Sequence, residues 1–395
     1  MKKVYLKPGR EKSLINRHPW LYSGAIGRVD GQPENGETVQ VLTREGNPLG
    51  FGSYSHLSQI RVRMWNWNCG EEINDPFFSK KIDESISLRE KFIPESETNA
   101  VRLIYAESDG IPGFIADRYG DILVVQFLSA GAEYWKELLV DRLIARTGFE
   151  KVYERSDVDV RRIEGLPEIN QPFRNRAFEK QVEIFENGVV YKVDIEKGQK
   201  TGFYIDQRYN RQLVRKLSKG REVLNCFSYT GGFSIQALAG SATYVLSIDT
   251  SAEALAMGKY HVERNQLDAN RSDWLEGDVF HVLRLFRDQG RQFDMVILDP
   301  PKFAPTVAQV EKATRGYKDI NLLAMKLLRA GGILVTFSCS GGISADLFQK
   351  ILFGAAVDAE VDMEILYQLH QGIDHPISLT FPESEYLKGY ICYKK

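Results

Sequence analysis

The sequence predicts an α/β protein whose C-terminal half is a doubly wound parallel sheet, and three observations carry that expectation. Beyond about residue 220, short strand-like runs alternate regularly with helical stretches: EVLNCF, TYVLSID, a short run near Ser272–Leu275, MVILD and GGILVTF. Two of these runs, Phe293–Phe303 (FDMVILDPPKF) and Gly331–Gly342 (GGILVTFSCSGG), are rich in Ile, Leu and Val and too short for helices. Both stop abruptly at polar residues and turn formers, as buried parallel strands do. Ligands of open α/β sheets bind beyond the carboxyl ends of the strands, so Asp299, with Pro300-Pro301, and Cys339 are expected to face one pocket. An acid and a thiol would then share a site.

The 395 residues leave room for two or three domains, and 43% hydrophobic with 26% charged residues is ordinary for a globular chain rather than a disordered one. Net charge is −2 but uneven, because residues 1–70 hold ten Lys or Arg against five acids. A basic head of this kind suits an anionic partner. Four scattered cysteines, Cys69, Cys226, Cys339 and Cys392, show no CxxC spacing, so neither a zinc site nor a disulfide framework is expected, and a reducing cytoplasm fits. The N-terminus MKKVYLKPGREK has no apolar signal core, and no apolar run reaches the ~18 residues of a membrane span.

In chain order, residues 1–72 carry short strands between glycine-rich turns and read as a small β-barrel. Alternation through Gln59–Met64 puts Arg61 and Arg63 on one strand face. Lys7, Arg10, Lys12 and Arg17 stand beside Trp20 and Tyr22, a mixture suited to phosphate contact with base stacking or, equally, to a solvated face over an aromatic core. Residues 73–178 read as mixed α/β, with strands over Val101–Ala106, Gly113–Asp117, Ile122–Leu128 and Val152–Arg155 and a helix over Ala132–Arg146. The region 179–395 opens with a hairpin turning at Asn187-Gly188, a type I′ signal. It passes through GQKTGFYIDQRYNR into a basic amphipathic helix and then into the parallel sheet. In the tail, Val361–Leu369 and Tyr386–Tyr393 are strand-like, the second being the candidate for an antiparallel strand that closes the sheet.

The loop after the first strand of that sheet, Asn225-Cys226-Phe227-Ser228-Tyr229-Thr230-Gly231-Gly232, runs into a helix, and Asp249 follows at the end of the second strand. An acid there can bond both hydroxyls of a ribose. The loop lacks G-x-G-x-x-G, which points away from a dinucleotide and toward a nucleoside cofactor without diphosphate, S-adenosylmethionine rather than NAD. Asp278, after the third strand, is placed to reach the adenine end.

Together the Gly-loop with Asp249, DPPKF at 299–303, SCS at 338–340 and GQKTGFYIDQRYNR at 198–211 resemble class I S-adenosylmethionine-dependent RNA methyltransferases. The basic glycine-rich head and the ending DHPISLTFPESEYLKGYIC resemble, more narrowly, the bacterial PUA-domain large-subunit ribosomal RNA cytosine-5 methyltransferases, over essentially the whole chain. The resemblance implies a PUA barrel (1–72), a central α/β domain (73–178) and a Rossmann-like methyltransferase domain (179–395) acting on a flipped cytosine in ribosomal RNA. It implies cofactor contacts at Phe203, Gln207, Asn225, Phe227, Tyr229, Thr230, Gly231, Asp299 and Pro300, beside Asp249 and Asp278. Lys7, Arg10, Lys12, Arg17, Arg61, Arg63 and Lys302 are the candidate RNA contacts, Lys302 being equally readable as a solvated loop lysine. A homodimer is an open alternative.

Cytosine carbon 5 is a poor nucleophile until a thiolate adds at carbon 6, and an acid at the base edge stabilises the resulting enamine. Cys339 is the expected nucleophile and Asp299 the acid. The competing view of Cys339 as a small buried hydrophobe is weakened by its place at a strand's carboxyl end. Cys226, Cys69 and Cys392 read as packing. Cytosine-5 RNA enzymes of other families often carry a second thiol where this chain has Pro300-Pro301-Lys302, which leaves the proton-abstracting base unassigned. Phe303 reads as pocket wall, and His261, His281 and His370 as ordinary. The rival readings are an exocyclic-nitrogen or guanine methyltransferase, which leaves Cys339 unexplained, a nonenzymatic RNA-binding protein, and, least of all, a nicotinamide dehydrogenase.

Overall fold

The structure, a computed structural model, describes residues 1–303 and 309–395. The chain forms two compact units. The first comprises Met1–Glu186, Val193–Ile205 and Ile373–Ser384; the second comprises Asn187–Lys192, Asp206–Gly372 and Glu385–Lys395.

In the first unit the N-terminal strands make one six-stranded sheet, in the spatial order Trp20–Tyr22, Ile60–Asn66, Pro48–Tyr54, Thr38–Leu42, Lys3–Leu6, Ile26–Asp30. Period-two alternation drives Val4, Leu6, Val39, Val41, Val62 and Met64 into a common core. Gly50 lies at φ 142°, and a Cβ there would come within 2.3 Å of the Asn66 carbonyl, so no larger residue fits that crossing. A second sheet runs Ile169–Pro172, Lys151–Ser156, Ile122–Phe127, Phe114–Tyr119, Ala100–Tyr105, close to the expected strands.

Two helical features differ from the expectation. An 18-residue helix, Asp75–Phe92, occupies a stretch whose charged residues hide its apolar stripe; the Asn74 side chain caps it by accepting from the Phe77 N–H, and Phe77, Phe78, Ile82 and Ile86 face the core. The single helix expected over 132–146 is two, Ala130–Tyr134 and Lys136–Thr147, broken at Trp135 where ψ rises to 7°.

The second unit is built on a seven-stranded sheet: β1 (Glu222–Cys226), β2 (Tyr244–Asp249), β3 (Ser272–Glu276), β4 (Phe293–Leu298), β5 (Leu328–Ser338), β6 (Met363–Leu369) and β7 (Lys388–Lys394). Its order is β3-β2-β1-β4-β5-β7-β6, the first five strands parallel and β7 antiparallel to both neighbours. The order reverses between β1 and β4, which is where a doubly wound sheet opens a ligand crevice. β7 therefore does not close the sheet but lies inside it, with all five residues Lys388–Cys392 buried; the edge is β6, whose residues 364–368 are exposed. The sequence cue behind this is that YIC is apolar on both faces whereas EILYQ is not.

Candidate active site

The carboxyl ends of β1, β2, β4 and β5 lie side by side. Register pairs Cys226 with both Ile248 and Leu298, and Leu298 with Thr336, so the loops that begin at Phe227, Asp249, Asp299 and Cys339 leave one edge of the sheet.

The β1 loop is tightly wound: Phe227, Tyr229 and Gly231 have φ of 59°, 49° and 79°, two of them at non-glycine residues where this conformation costs energy. Asp249 holds the turn, one carboxylate oxygen accepting from the Tyr229 N–H at 2.7 Å and the other from the Ser251 N–H at 3.0 Å. At Gly231 a Cβ would meet the Trp274 ring at 2.4 Å, so glycine is required by packing as well as by φ. His261 fastens the loop from below. Its Nε2 accepts from the Lys192 N–H at 2.9 Å, which leaves Nδ1–H to donate to the Thr230 carbonyl at 3.0 Å. Burial pushes its pKa down. This histidine, read from sequence as ordinary, is a neutral brace; nothing in its spacing signals that.

Beside the loop, Asn225 is buried with its amide donating to Ser234 Oγ at 2.8 Å, while Asn225 Oδ1 and Ser228 Oγ are buried with no partner among the described residues. Orphaned polar atoms at a strand's carboxyl end fit a polar ligand there. Asp278, exposed, caps the helix Val279–Asp288 by accepting from the His281 N–H at 2.9 Å.

Asp299 is half-buried and accepts from Gln207 Nε2 at 3.0 Å; Gln207 Oε1 in turn accepts from Asn210 Nδ2 at 2.6 Å, and that amide also reaches the His370 carbonyl at 3.1 Å. Gln207, expected from the resemblance as a cofactor contact, thus orients the acid. Arg208 and Arg211 of the same helix are buried rather than displayed on its face. Phe203 belongs to the first unit, buried, with its backbone N–H toward the Tyr119 hydroxyl at 3.2 Å. Phe303 is half-buried among Phe227, Phe280 and Tyr317, the last at 4.7 Å between ring centres, which makes it wall.

Cys339 is half-buried, whereas Cys226 and Cys392 are buried with their thiols pushed up, Cys392 to about 12, by desolvation alone. A neutral buried thiol is a poor nucleophile. The surroundings of Cys339 are polar: Ser340 Oγ lies 3.0 Å from the Tyr317 hydroxyl, and the Lys388 ammonium donates to the Ser340 carbonyl at 3.0 Å. Sequence reasoning missed Lys388. Its signal was available, a lysine at the head of an otherwise apolar strand.

In the barrel, Lys7, Arg10, Lys12 and Arg17 are exposed, and Pro300 and Lys302 of the second unit are buried and exposed respectively. Arg61 is half-buried and donates to the Ser55 carbonyl at 2.9 Å. Arg63 is corrected: only 6% exposed, it forms a 2.6 Å ion pair with the fully buried Glu164 and so is an internal strut, out of reach of an external ligand. Trp20 is likewise anchored, its Nε1–H donating to Glu107 at 2.8 Å. A cavity of about 210 Å³ on the barrel is lined by Lys7, Arg28, Arg44 and Tyr5, with the Arg28 guanidinium 4.1 Å from the Tyr5 ring centre. Arg28 and Arg44 are too far from Lys7 in sequence for spacing to have joined them. Among the described residues, no helix is long and apolar enough to cross a membrane.

Comparison with known proteins agrees with this geometry. A profile of S-adenosylmethionine-dependent methyltransferases matches residues 174–360, and one of PUA-like domains matches residues 4–67. Ribosomal RNA large subunit methyltransferase I of Escherichia coli is 45% identical over 390 residues, covering 99% of this chain and 98% of that protein. The protein of the same name from Vibrio parahaemolyticus is 50% identical, covering 98% of each. A solved structure described as an S-adenosylmethionine-dependent methyltransferase from Streptococcus mutans covers all of both chains with a TM-score of 0.84 at 23% identity, and a methyltransferase structure holding SAH does so at 0.86 and 23%, which shows a shared fold. With both profiles and the full-length relatives in agreement, the chain belongs to the ribosomal RNA large subunit methyltransferase I family and is an S-adenosylmethionine-dependent methyltransferase.

Proposed function

We propose that the protein methylates carbon 5 of a cytosine in large-subunit (23S) ribosomal RNA, with Cys339 as the nucleophile. The observation that carries this reading is the half-buried thiol of Cys339 leaving the same sheet edge as Asp299, at the carboxyl end of β5. The relatives' shared name supplies the substrate class.

S-adenosylmethionine supplies an electrophilic methyl group. Asp249 would hold the ribose hydroxyls and Asp278 the adenine end, while the loop Phe227–Gly231 with Asn225 and Ser228 offers the polar atoms that the rest of a nucleoside sulfonium needs; Pro300 would line the same side. The Cys339 sulfur adds to carbon 6 of the flipped base, which makes carbon 5 nucleophilic. Asp299, held by Gln207, meets the amino group or nitrogen 3 of that base and stabilises the enamine. Once carbon 5 carries the methyl group, loss of its proton would let the carbon–sulfur bond break and return the thiolate. The barrel would grip RNA phosphates through Lys7, Arg28 and Arg44 with Arg10, Lys12, Arg17 and Arg61, and Lys302 would do so near the base.

RNA carrying 5-fluorocytosine tests this directly. Fluorine cannot leave as a proton does, so the enzyme is expected to stay linked to the RNA on a denaturing gel when cofactor is present, and Cys339→Ala to abolish both the adduct and turnover. A Cys339→Ala protein that still makes 5-methylcytosine at the normal rate overturns the reading, and a product methylated on an exocyclic nitrogen favours the rival chemistry.

A further inference from the structure

Lys388 opens β7 directly opposite Ser338, the last residue of β5. Its ammonium reaches forward to the carbonyl of Ser340 at 3.0 Å, so the side chain spans the two residues between which Cys339 stands. The lysine is 7% exposed. Lysine is rarely buried without a counter-charge, because an ammonium taken out of water loses hydration that one neutral carbonyl does not restore. Lys388 makes no ion pair with a carboxylate among the described residues.

The charged and titratable groups that face it are few. Burial lowers its pKa; the negative charges of Cys339 and Glu385 act in the opposite direction, and Lys302 adds to the lowering. From the helix Val310–Leu327, Tyr317 faces the same corner, its hydroxyl on Ser340 and its own pKa raised by burial and by the Cys339 charge. The hydroxyls of Tyr317 and Ser340 and the ammonium of Lys388 thus meet at the residue that follows Cys339, whose sulfur reaction at carbon 6 requires as thiolate. By reciprocity, the charge at Cys339 that favours the ammonium is itself favoured by it.

We infer that Lys388 is the positioning residue that keeps Cys339 ionised, as a thiolate–ammonium pair at the carboxyl end of β5 beside the start of β7. This rests on Cys339 being the nucleophile. The proton balance is simple: the sulfur–hydrogen bond breaks, the proton passes to the Lys388 amine, and the pair keeps zero net charge. After the carbon–sulfur bond to the base breaks, the electron pair returns to sulfur beside the same ammonium.

The test is the pH dependence of iodoacetamide alkylation at Cys339 in the cofactor-free protein, followed by mass spectrometry, with Cys339→Ala giving the background from other thiols. The wild-type midpoint is expected below the ~8.5 of a free thiol. Lys388→Gln keeps a donor for the Ser340 carbonyl but no charge; it is expected to raise the midpoint by about one unit, which slows alkylation near neutral pH about tenfold. Lys388→Arg is expected to restore most of the shift. A folded Lys388→Gln protein with the wild-type midpoint overturns the inference. Should that variant fail to fold, the wild-type protein still decides: a Cys339 midpoint at or above ~8.5 overturns it equally. The two readings fail separately. A 5-fluorocytosine adduct with an unmoved midpoint leaves Cys339 as nucleophile and removes Lys388 from its activation, whereas a shifted midpoint with no adduct keeps the pair and removes the covalent step.

Discussion

In the first unit Arg63, Arg89, Arg102 and Arg161 are all buried, each within 2.6–2.7 Å of a carboxylate, on Glu164, Asp109, Asp117 and Glu133. Along the carboxyl edge of the second unit's sheet, Asn225 Oδ1 and Ser228 Oγ are buried with no hydrogen-bond partner among the described residues. Both regions sequester polar groups; in the first each of these arginines meets a carboxylate of its own unit, although Arg63 Nε and Arg161 Nη2 have no hydrogen bond among the described residues. The arginine pairs go further: Glu164 also accepts the Ala130 N–H at 3.1 Å, and Asp117 the Thr201 hydroxyl at 2.5 Å. Satisfied buried charge specifies architecture, while unsatisfied polarity at a sheet's edge marks where a ligand completes the structure. Removing a group from the first region should therefore cost stability, and removing one from the second should cost binding.

The largest effect expected on this contrast is from Arg63→Met. It leaves Glu164 buried and uncompensated, and should lower unfolding free energy by about 3–5 kcal/mol in a denaturant titration, with cofactor affinity of the folded protein unchanged. A loss below ~1 kcal/mol would mean that Glu164 takes up a proton or finds water, and that the strut is dispensable.

Asp249→Ala is the complementary break. Losing two hydrogen bonds to ribose should weaken S-adenosylmethionine binding by about 1–3 kcal/mol, roughly 10- to 100-fold, measured by calorimetry. The carboxylate also accepts the Tyr229 and Ser251 amides, so part of the loss would come from a loosened loop. Asp249→Asn keeps one acceptor oxygen where the carboxylate uses two, so it is expected to recover only part of the affinity.

How far the sequence foretold these regions follows from the range of the interactions involved. The parallel sheet, the Gly-loop and the placement of Asp249, Asp299 and Cys339 at strand ends were legible because each rests on local pattern: apolar runs, a turn, a polar residue at a strand end. The Asn187-Gly188 turn, with φ of 51° and 77°, is the same kind of signal. Arg63 was misread because alternation fixes which face a side chain joins but not what covers that face; its partner Glu164 is 101 residues away. Lys388 and His261 escaped for the same reason, as did the hold of Gln207 on Asp299, since each acts through a partner far along the chain. DHP in the tail is a further case: Asp374 accepts the Arg102 N–H at 3.2 Å and contacts His375 at 3.1 Å, a structural knot in the first unit rather than a reactive histidine.

The barrel sharpens the contrast from another side, since its exposed cations are not committed to internal pairs as Arg63 is. Reversing Arg28 and Arg44 to glutamate should flatten the salt dependence of RNA binding, each lost phosphate contact reducing the log–log slope by about 0.7 on single-stranded RNA. Both lie at the cavity with Lys7, on the surface rather than in the core. An unchanged slope would move the RNA path elsewhere on the protein.

The smallest and most specific effect concerns His261, a buried titratable group that braces the loop after β1. Its pKa is lowered by burial, which outweighs the opposite pull of the Thr230 carbonyl at 3.0 Å and the Lys192 carbonyl at 3.3 Å, so the folded chain disfavours the imidazolium. The unfolded chain binds this proton at about pH 6.5 and the folded chain only below that. The contribution to stability is therefore fully present above pH 6.5 and is lost as pH falls from there toward the lower folded value. Nδ1–H holds the Thr230 carbonyl in both protonation states, so cofactor affinity should vary less over this interval than stability does. His261→Gln, which cannot take up a proton, should be less stable at pH 8 yet show a flatter decline in Tm between pH 7 and 5. If the variant and wild type lose stability in parallel across that range, the acid sensitivity belongs to other groups and His261 braces the loop without titrating.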